Sequence, residues 1–170
     1  SFSGMFAFLT AGSFVYIDIY GVRPDLFGYL FGLNIVAMIL MTTINGRIVK
    51  KVGSHTMLRA ALVIQLLAGV GLLAGWALDL GLWGVVPFVM LFIGTISTIG
   101  SNSMGLLLSG YPNMAGTASS LAGTLRFGTG SVVGAIVAML PSDSAGSMAM
   151  VMAACAVMSA LLYWTLGKKA

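Results

Sequence analysis

Arg126 is the one charged residue between Asp79 and Asp143, and it falls in the middle of a long apolar stretch. Holding a cation there costs about 3 kcal/mol or more on insertion scales, so its side chain must face protein or water. At helical spacing its neighbours are Ala122, Gly123, Thr129 and Gly130, then Ser119 and Gly134. That is a face of small, weakly polar groups, suited to a cavity wall or to a close helix contact. Two readings follow. Arg126 either meets a substrate or a proton-carrying carboxylate, or it pins a neighbouring helix by donating to backbone carbonyls or to Asn102.

Two further polar lines run through apolar segments. Asn34, Met38, Thr42 and Asn45 share one helical face, and Gly94, Thr98, Ser101, Asn102 and Gly105 share another. Such faces line a water-accessible path or bond helix to helix; Asn34, Asn102, Ser101 and Thr98 are the candidates for a cavity, together with Arg126. Gln65 reads as a helix-to-helix bond. Asp18, between Tyr16 and Tyr20, ends its apolar stretch at a membrane surface, where a solvated carboxylate, paired with Arg23, is the simpler reading.

Catalytic chemistry finds little to work with. The chain has four acids and one histidine, His55, with no nucleophile triad, no His/Glu metal spacing and no phosphate loop. The sequence therefore predicts no enzyme, no metal site and no cofactor. Cys155 stands alone in an apolar segment and reads as a small packing residue.

The elements that position these residues follow from composition. Of 170 residues, 59% are hydrophobic and 7% charged, and the mean hydropathy is +1.05. A soluble domain carries roughly a quarter charged residues, so this chain cannot cover itself with a water-facing surface. Its outer solvent is lipid, and the expected fold is an all-α membrane protein. The net charge of +4 forms no basic stripe with interleaved aromatics, so nucleic acid is not an expected partner.

A crossing needs about twenty mostly apolar residues. Six such stretches are predicted over residues 2–19, 26–44, 57–78, 82–109, 114–140 and 147–166. The expected breaks are short, at 18–25, 45–56, 79–81, 110–113 and 141–146, so consecutive helices should be antiparallel. The small-residue pairs Gly28/Gly32, Gly71/Gly75 and Gly130/Gly134 suit close helix packing, with Gly116 and Gly123 on the same helix as the last pair. Trp76, Trp83 and Trp164 fall near span ends, where interface anchors belong.

Orientation follows from Lys and Arg. Arg47, Lys50, Lys51, His55 and Arg59 cluster after the second span, and Lys168 and Lys169 end the chain. Basic short loops stay cytoplasmic, so both termini are expected on that side. The cluster serves as an orientation determinant and is able to touch anionic lipid heads. The chain enters an apolar stretch directly from Ser1, and the expectation is a stretch cut from a longer protein.

Specific residues then point to a family. Phe14-Val15-Tyr16-Ile17, Phe27-Gly28-Tyr29 through Leu33-Asn34, and above all Met114-Ala115-Gly116-Thr117-Ala118-Ser119-Ser120-Leu121-Ala122-Gly123-Thr124 followed by Arg126-Phe127-Gly128 resemble the C-terminal half of the Bcr/CflA drug-resistance transporters. These belong to the major facilitator superfamily, whose six-helix halves are built from inverted three-helix repeats. The resemblance covers the whole chain, and the fifth-span motif is its specific part. Gly46, Arg47, Lys50, Lys51 and Gly53 resemble a degenerate copy of the superfamily's cytoplasmic loop motif, with Lys50 where the stronger copy has an aspartate.

The resemblance implies six transmembrane helices forming one half of a major facilitator superfamily fold, residues 1–170, with the N-terminal half missing. It further implies a fragment of a proton-coupled multidrug efflux transporter, an antiporter that exports small amphipathic antibiotics across the bacterial inner membrane. The partners would be small hydrophobic drugs, protons, the lipid bilayer and the missing half. Arg126, Asn34, Asn102, Ser101 and Thr98 would face the cavity, and Gly116, Gly123, Gly130 and Gly134 would serve helix packing. The alternatives are a self-contained six-helix membrane scaffold or assembly protein, and a metabolite transporter of the same superfamily.

Overall fold

The computed structural model describes residues 1–140 and 145–166, so Asp143, Lys168, Lys169 and most of the expected 141–146 break lie outside the described residues. Within them the chain is helical, with no strand. The helices are α1 (Phe2–Phe14), α2 (Pro24–Val52), α3 (Ser54–Ala77), α4 (Gly81–Gly110), α5 (Ala115–Met139) and α6 (Gly146–Leu166). A π-helical turn at Val15–Ile19 extends α1, and a 3-10 turn at Pro112–Met114 leads into α5. With the π-helical turn counted as part of α1 (Phe2–Ile19), all six are long and apolar enough to cross a membrane.

Helix α2 shows how sequence sets an element's limits. Pro24 opens it, where a missing N–H costs nothing, with Asp25 in the first turn and Lys50 and Lys51 in the last, each complementing the helix dipole. It does not stop at Ile44. The expected loop at 45–56 is helical through Val52, so Gly46, Arg47, Lys50 and Lys51 are helix residues and only Gly53 breaks the chain. Arginine and lysine are good helix formers and a single glycine is tolerated, so leaving the apolar region gave the backbone no reason to unwind. Gly53 ends the helix at φ +83°, a conformation that other residues rarely adopt.

The packing carries an internal repeat. Helix α1 packs on α5 as α4 packs on α2, α1 meets α6 as α4 meets α3, and α3 packs on α6. Exchanging α1, α2, α3 for α4, α5, α6 therefore maps the bundle onto itself. Because each unit has an odd number of crossings, the two units are inverted in the membrane.

Close approach at small residues joins the helices. A Cβ on Gly75 would lie 2.8 Å from the Gly84 carbonyl oxygen, and one on Gly69 would lie 3.1 Å from the Ala153 Cα. Gly130 faces Phe6 and Gly134 faces Thr10, both on α1. A Cβ added to Gly28, Gly32, Gly116 or Gly123 would meet nothing within 4 Å among the described residues, so small-residue spacing alone did not identify a contact at these positions. The tightest core lies where α3, α4 and α6 meet, around Leu72, Val85, Val89, Phe92, Met148 and Met152.

Burial is uneven. Only 6% of the α2 membrane window and 17% of the α5 window is buried, against 33% to 50% for the other four. On α2 the exposed residues Tyr29, Leu33, Val36 and Leu40 follow the alternating four-three spacing of a helix-packing seam. On α5 Leu121, Leu125, Val132 and Met139 are exposed in the same way.

Candidate functional site

The Arg126 side chain leaves the middle of α5 and lies against α1 and α4. Its guanidinium carbon sits 5.4 Å from the centre of the Phe2 ring, within cation–π range. On its other side is Gly100 of α4, where a Cβ would stand 3.3 Å from the guanidinium. Absence of a side chain there gives the planar group its slot. Ser1, Phe2, Ile96, Ile99, Gly100 and Arg126 line a small, partly open pocket of about 140 Å³.

Phe2 belongs to an aromatic trio. Its ring is 5.1 Å from that of Phe127, edge to face, and 5.8 Å from that of Phe6, while Phe6 and Phe127 are 6.5 Å apart. These are attractive ring geometries, and together they present apolar, polarisable surface next to one cation. Arg126 makes no hydrogen bond or ion pair among the described residues, and it does not reach Asn102. Its five donors are open to an acceptor.

The polar lines on α2 and α4 meet each other. Thr42 donates to Ser97 at 2.8 Å, the Asn45 amide to the Ser101 hydroxyl at 3.4 Å, and the Asn102 amide to Asn45 Oδ1 at 2.7 Å. Asn102 also donates to its own helix at Thr98 O, and Thr98 reaches the Met41 carbonyl across the interface at 3.5 Å. These partners advance together along both helices, so α2 and α4 run parallel, with the ladder fixing their register.

Asn34, Thr98 and Asn102 are therefore buried, at 3%, 4% and 3% exposure, rather than lining open space. Asn34 donates to Leu30 O within its own helix, and its Oδ1 is buried without a partner among the described residues. Of the five residues expected at a cavity, Ser101 is exposed and Arg126 is partly exposed. Asp18 lies exposed in the π-helical turn, and Arg23 pairs with Asp25 at 2.8 Å instead. Two positions apart on an extended-to-helix turn, that pair meets without bending the chain back. Gln65 is fully buried and accepts from the Ser1 hydroxyl at 2.7 Å.

Sequence reasoning passed over Phe2 and Phe6 as ordinary apolar residues, whereas it put Asn45 on the polar face of the second span but ended that span before it. The spacing of Phe2 and Phe6, four apart on one helix face, was the available pointer to the first pair. The misplaced end of α2 concealed only that Asn45 is a helix residue in register with Asn102.

None of the protein-family profiles matches the chain, and no solved structure matches it. Over 166 residues, 98% of this chain, it is 50% identical to a protein of Haemophilus influenzae described as a bicyclomycin resistance protein homolog, covering 42% of that protein. Over the same share it is 31% identical to an uncharacterized MFS-type transporter, YdgK, of Bacillus subtilis, covering 41% of it. The chain spans less than half the length of both curated relatives. A likeness that runs along nearly the whole chain, joined to six membrane-length helices whose contacts repeat between two triplets, makes this chain similar to one six-helix half of these transporter-type proteins.

Proposed function

We propose that the chain is the C-terminal half of a proton-coupled multidrug exporter, and that it contributes Arg126 and the Phe2, Phe6, Phe127 trio to the drug-contacting surface. The observation that carries this reading is a cation in the middle of α5, unpaired among the described residues and seated on aromatic rings, in a bundle similar to a bicyclomycin resistance homolog. Apolar and aromatic surface would hold amphipathic drugs, and the guanidinium would orient a polar group on them or tune a carboxylate in the other half. Ser101 would add a hydroxyl, while Asn34, Thr98 and Asn102 stand behind the surface as helix-to-helix bonds.

The uncovered faces of α2 and α5 favour this over a self-contained scaffold, because they carry the two least buried helices and a packing seam. The other half would cover them. The separation of charge supports the orientation: Arg47, Lys50, Lys51, His55 and Arg59 stand at one end of the bundle, and Asp18, Asp25 and Asp79 at the other. The basic end, and with it the C-terminus, would be cytoplasmic, in the bacterial inner membrane.

The test is drug accumulation in a pump-deficient bacterium expressing the complete reading frame. Chloramphenicol- or bicyclomycin-type drugs should be depleted from the cells, and a protonophore should abolish the depletion. Depletion that survives the protonophore would remove the proton coupling, and no depletion of any amphipathic drug would remove the exporter reading.

A further inference from the structure

The basic end of the bundle carries more positive charge than its helices can use. Arg47, Lys50 and Lys51 lie at spacings of three and four on α2 and so share one side of its last two turns. After Gly53 alone, His55 and Arg59 open α3, one turn apart. All five are exposed. Among the described residues, Arg47, Lys50, Lys51 and His55 have no hydrogen-bond or ion-pair partner, and Arg59 donates only to the Tyr163 hydroxyl at 3.1 Å.

Helix dipoles account for only part of this. Lys50 and Lys51 complement the negative end of α2, an effect confined to the last turn. His55 stands in the first turn of α3, where the dipole favours an anion, and Arg59 lies one turn further on, beyond that effect. The first turn holds no acidic residue and no side-chain cap, so its amide groups remain open to an acceptor. The carboxylates placed by the structure are at the opposite end of the bundle. The corner is thus built for negative charge supplied from outside the described residues.

Depth identifies the supplier. With 29 residues α2 is about 43 Å long, longer than the roughly 30 Å hydrocarbon core, so its last turns stand at headgroup level. Ile48 and Val52, each exposed, lie one turn apart beside the cations, turned away from the Tyr29–Leu40 seam. An apolar stripe next to a basic one matches a molecule with acyl chains and an anionic head, whereas a soluble anion would leave the stripe unused.

The geometry points to a binding site for an anionic phospholipid at the α2–α3 corner, its phosphate held by Arg47, Lys50, Lys51 and His55 and its chains lying on Ile48 and Val52. Such a lipid would fasten the corner to one leaflet.

The site is tested on the protein in its complete reading frame, purified and titrated with phosphatidylglycerol or phosphatidylcholine, with retained lipid counted by native mass spectrometry. Phosphatidylglycerol should be retained preferentially, and each of R47Q, K50Q and K51Q should weaken that retention about fivefold, with less effect at high salt. R23Q, at the far end, should change nothing. The substituted positions are exposed, and an unchanged elution profile confirms intact folding. Equal retention of the two lipids, or a preference that survives R47Q/K50Q/K51Q, overturns the proposal. Displacement of the lipid by millimolar inorganic phosphate overturns it as well, because the head alone would then account for binding.

Discussion

At the scale of single residues, Arg126 is the side chain whose chemistry was legible from sequence and whose surroundings were not. A cation amid apolar residues had to face something other than lipid. Which group it faced depended on residues far off in the chain, Phe2 on α1 and Gly100 on α4. Asn102 shows the complementary failure. Its polarity marked it for a cavity, yet a buried amide is equally satisfied by a second amide, and Asn45 supplies one at 2.7 Å. If Arg126 holds a polar group of the drug, removing it forfeits a charged hydrogen bond worth about 1.5–3 kcal/mol. R126A should therefore lower efflux roughly tenfold or more at unchanged membrane abundance. R126K, which keeps the charge and loses the planar fork, should fall in between. Immunoblotting of membranes beside the efflux assay separates this from a folding role, for which abundance would drop together with transport.

At the scale of elements, apolar length predicted six crossings, because the membrane thickness leaves few other solutions for such a composition. Helix ends were less legible. The end of the apolar run and the end of the helix are different events, and α2 continued through Arg47, Lys50 and Lys51 until Gly53. Glycine pairs were ambiguous for a similar reason: spacing permits close approach, but only a facing helix realises it. A Cβ on Gly75 would meet backbone, which cannot step aside, while one on Gly28 or Gly116 would meet nothing within 4 Å among the described residues. G75A should accordingly destabilise the protein by about 1–3 kcal/mol through overpacking. G28A and G116A should be neutral or slightly stabilising, since alanine is the better helix former. Thermal melting of the purified variants in detergent reads the difference, and equal melting points would show that the α3–α4 contact is looser than the structure has it.

For the whole molecule, the decisive feature is where burial stops. Four helices pack around a shared core, whereas α2 and α5 turn apolar seams outward. Sequence could not distinguish those seams from lipid-facing surface, because both are apolar and only the arrangement of all six helices shows which faces remain. If the chain works as one half of an exporter, the α2 and α5 seams meet the other half, while α3 meets lipid. A packed helix interface rejects added volume and fluid acyl chains accept it. The measurement that tests this most directly is drug efflux by the complete reading frame carrying V36W or V132W on the seams, compared with L67W or V70W on α3, four positions that are all exposed in this chain. The two-half account predicts that V36W and V132W lose most of the efflux while L67W and V70W keep it; efflux retained by V36W and V132W would contradict it.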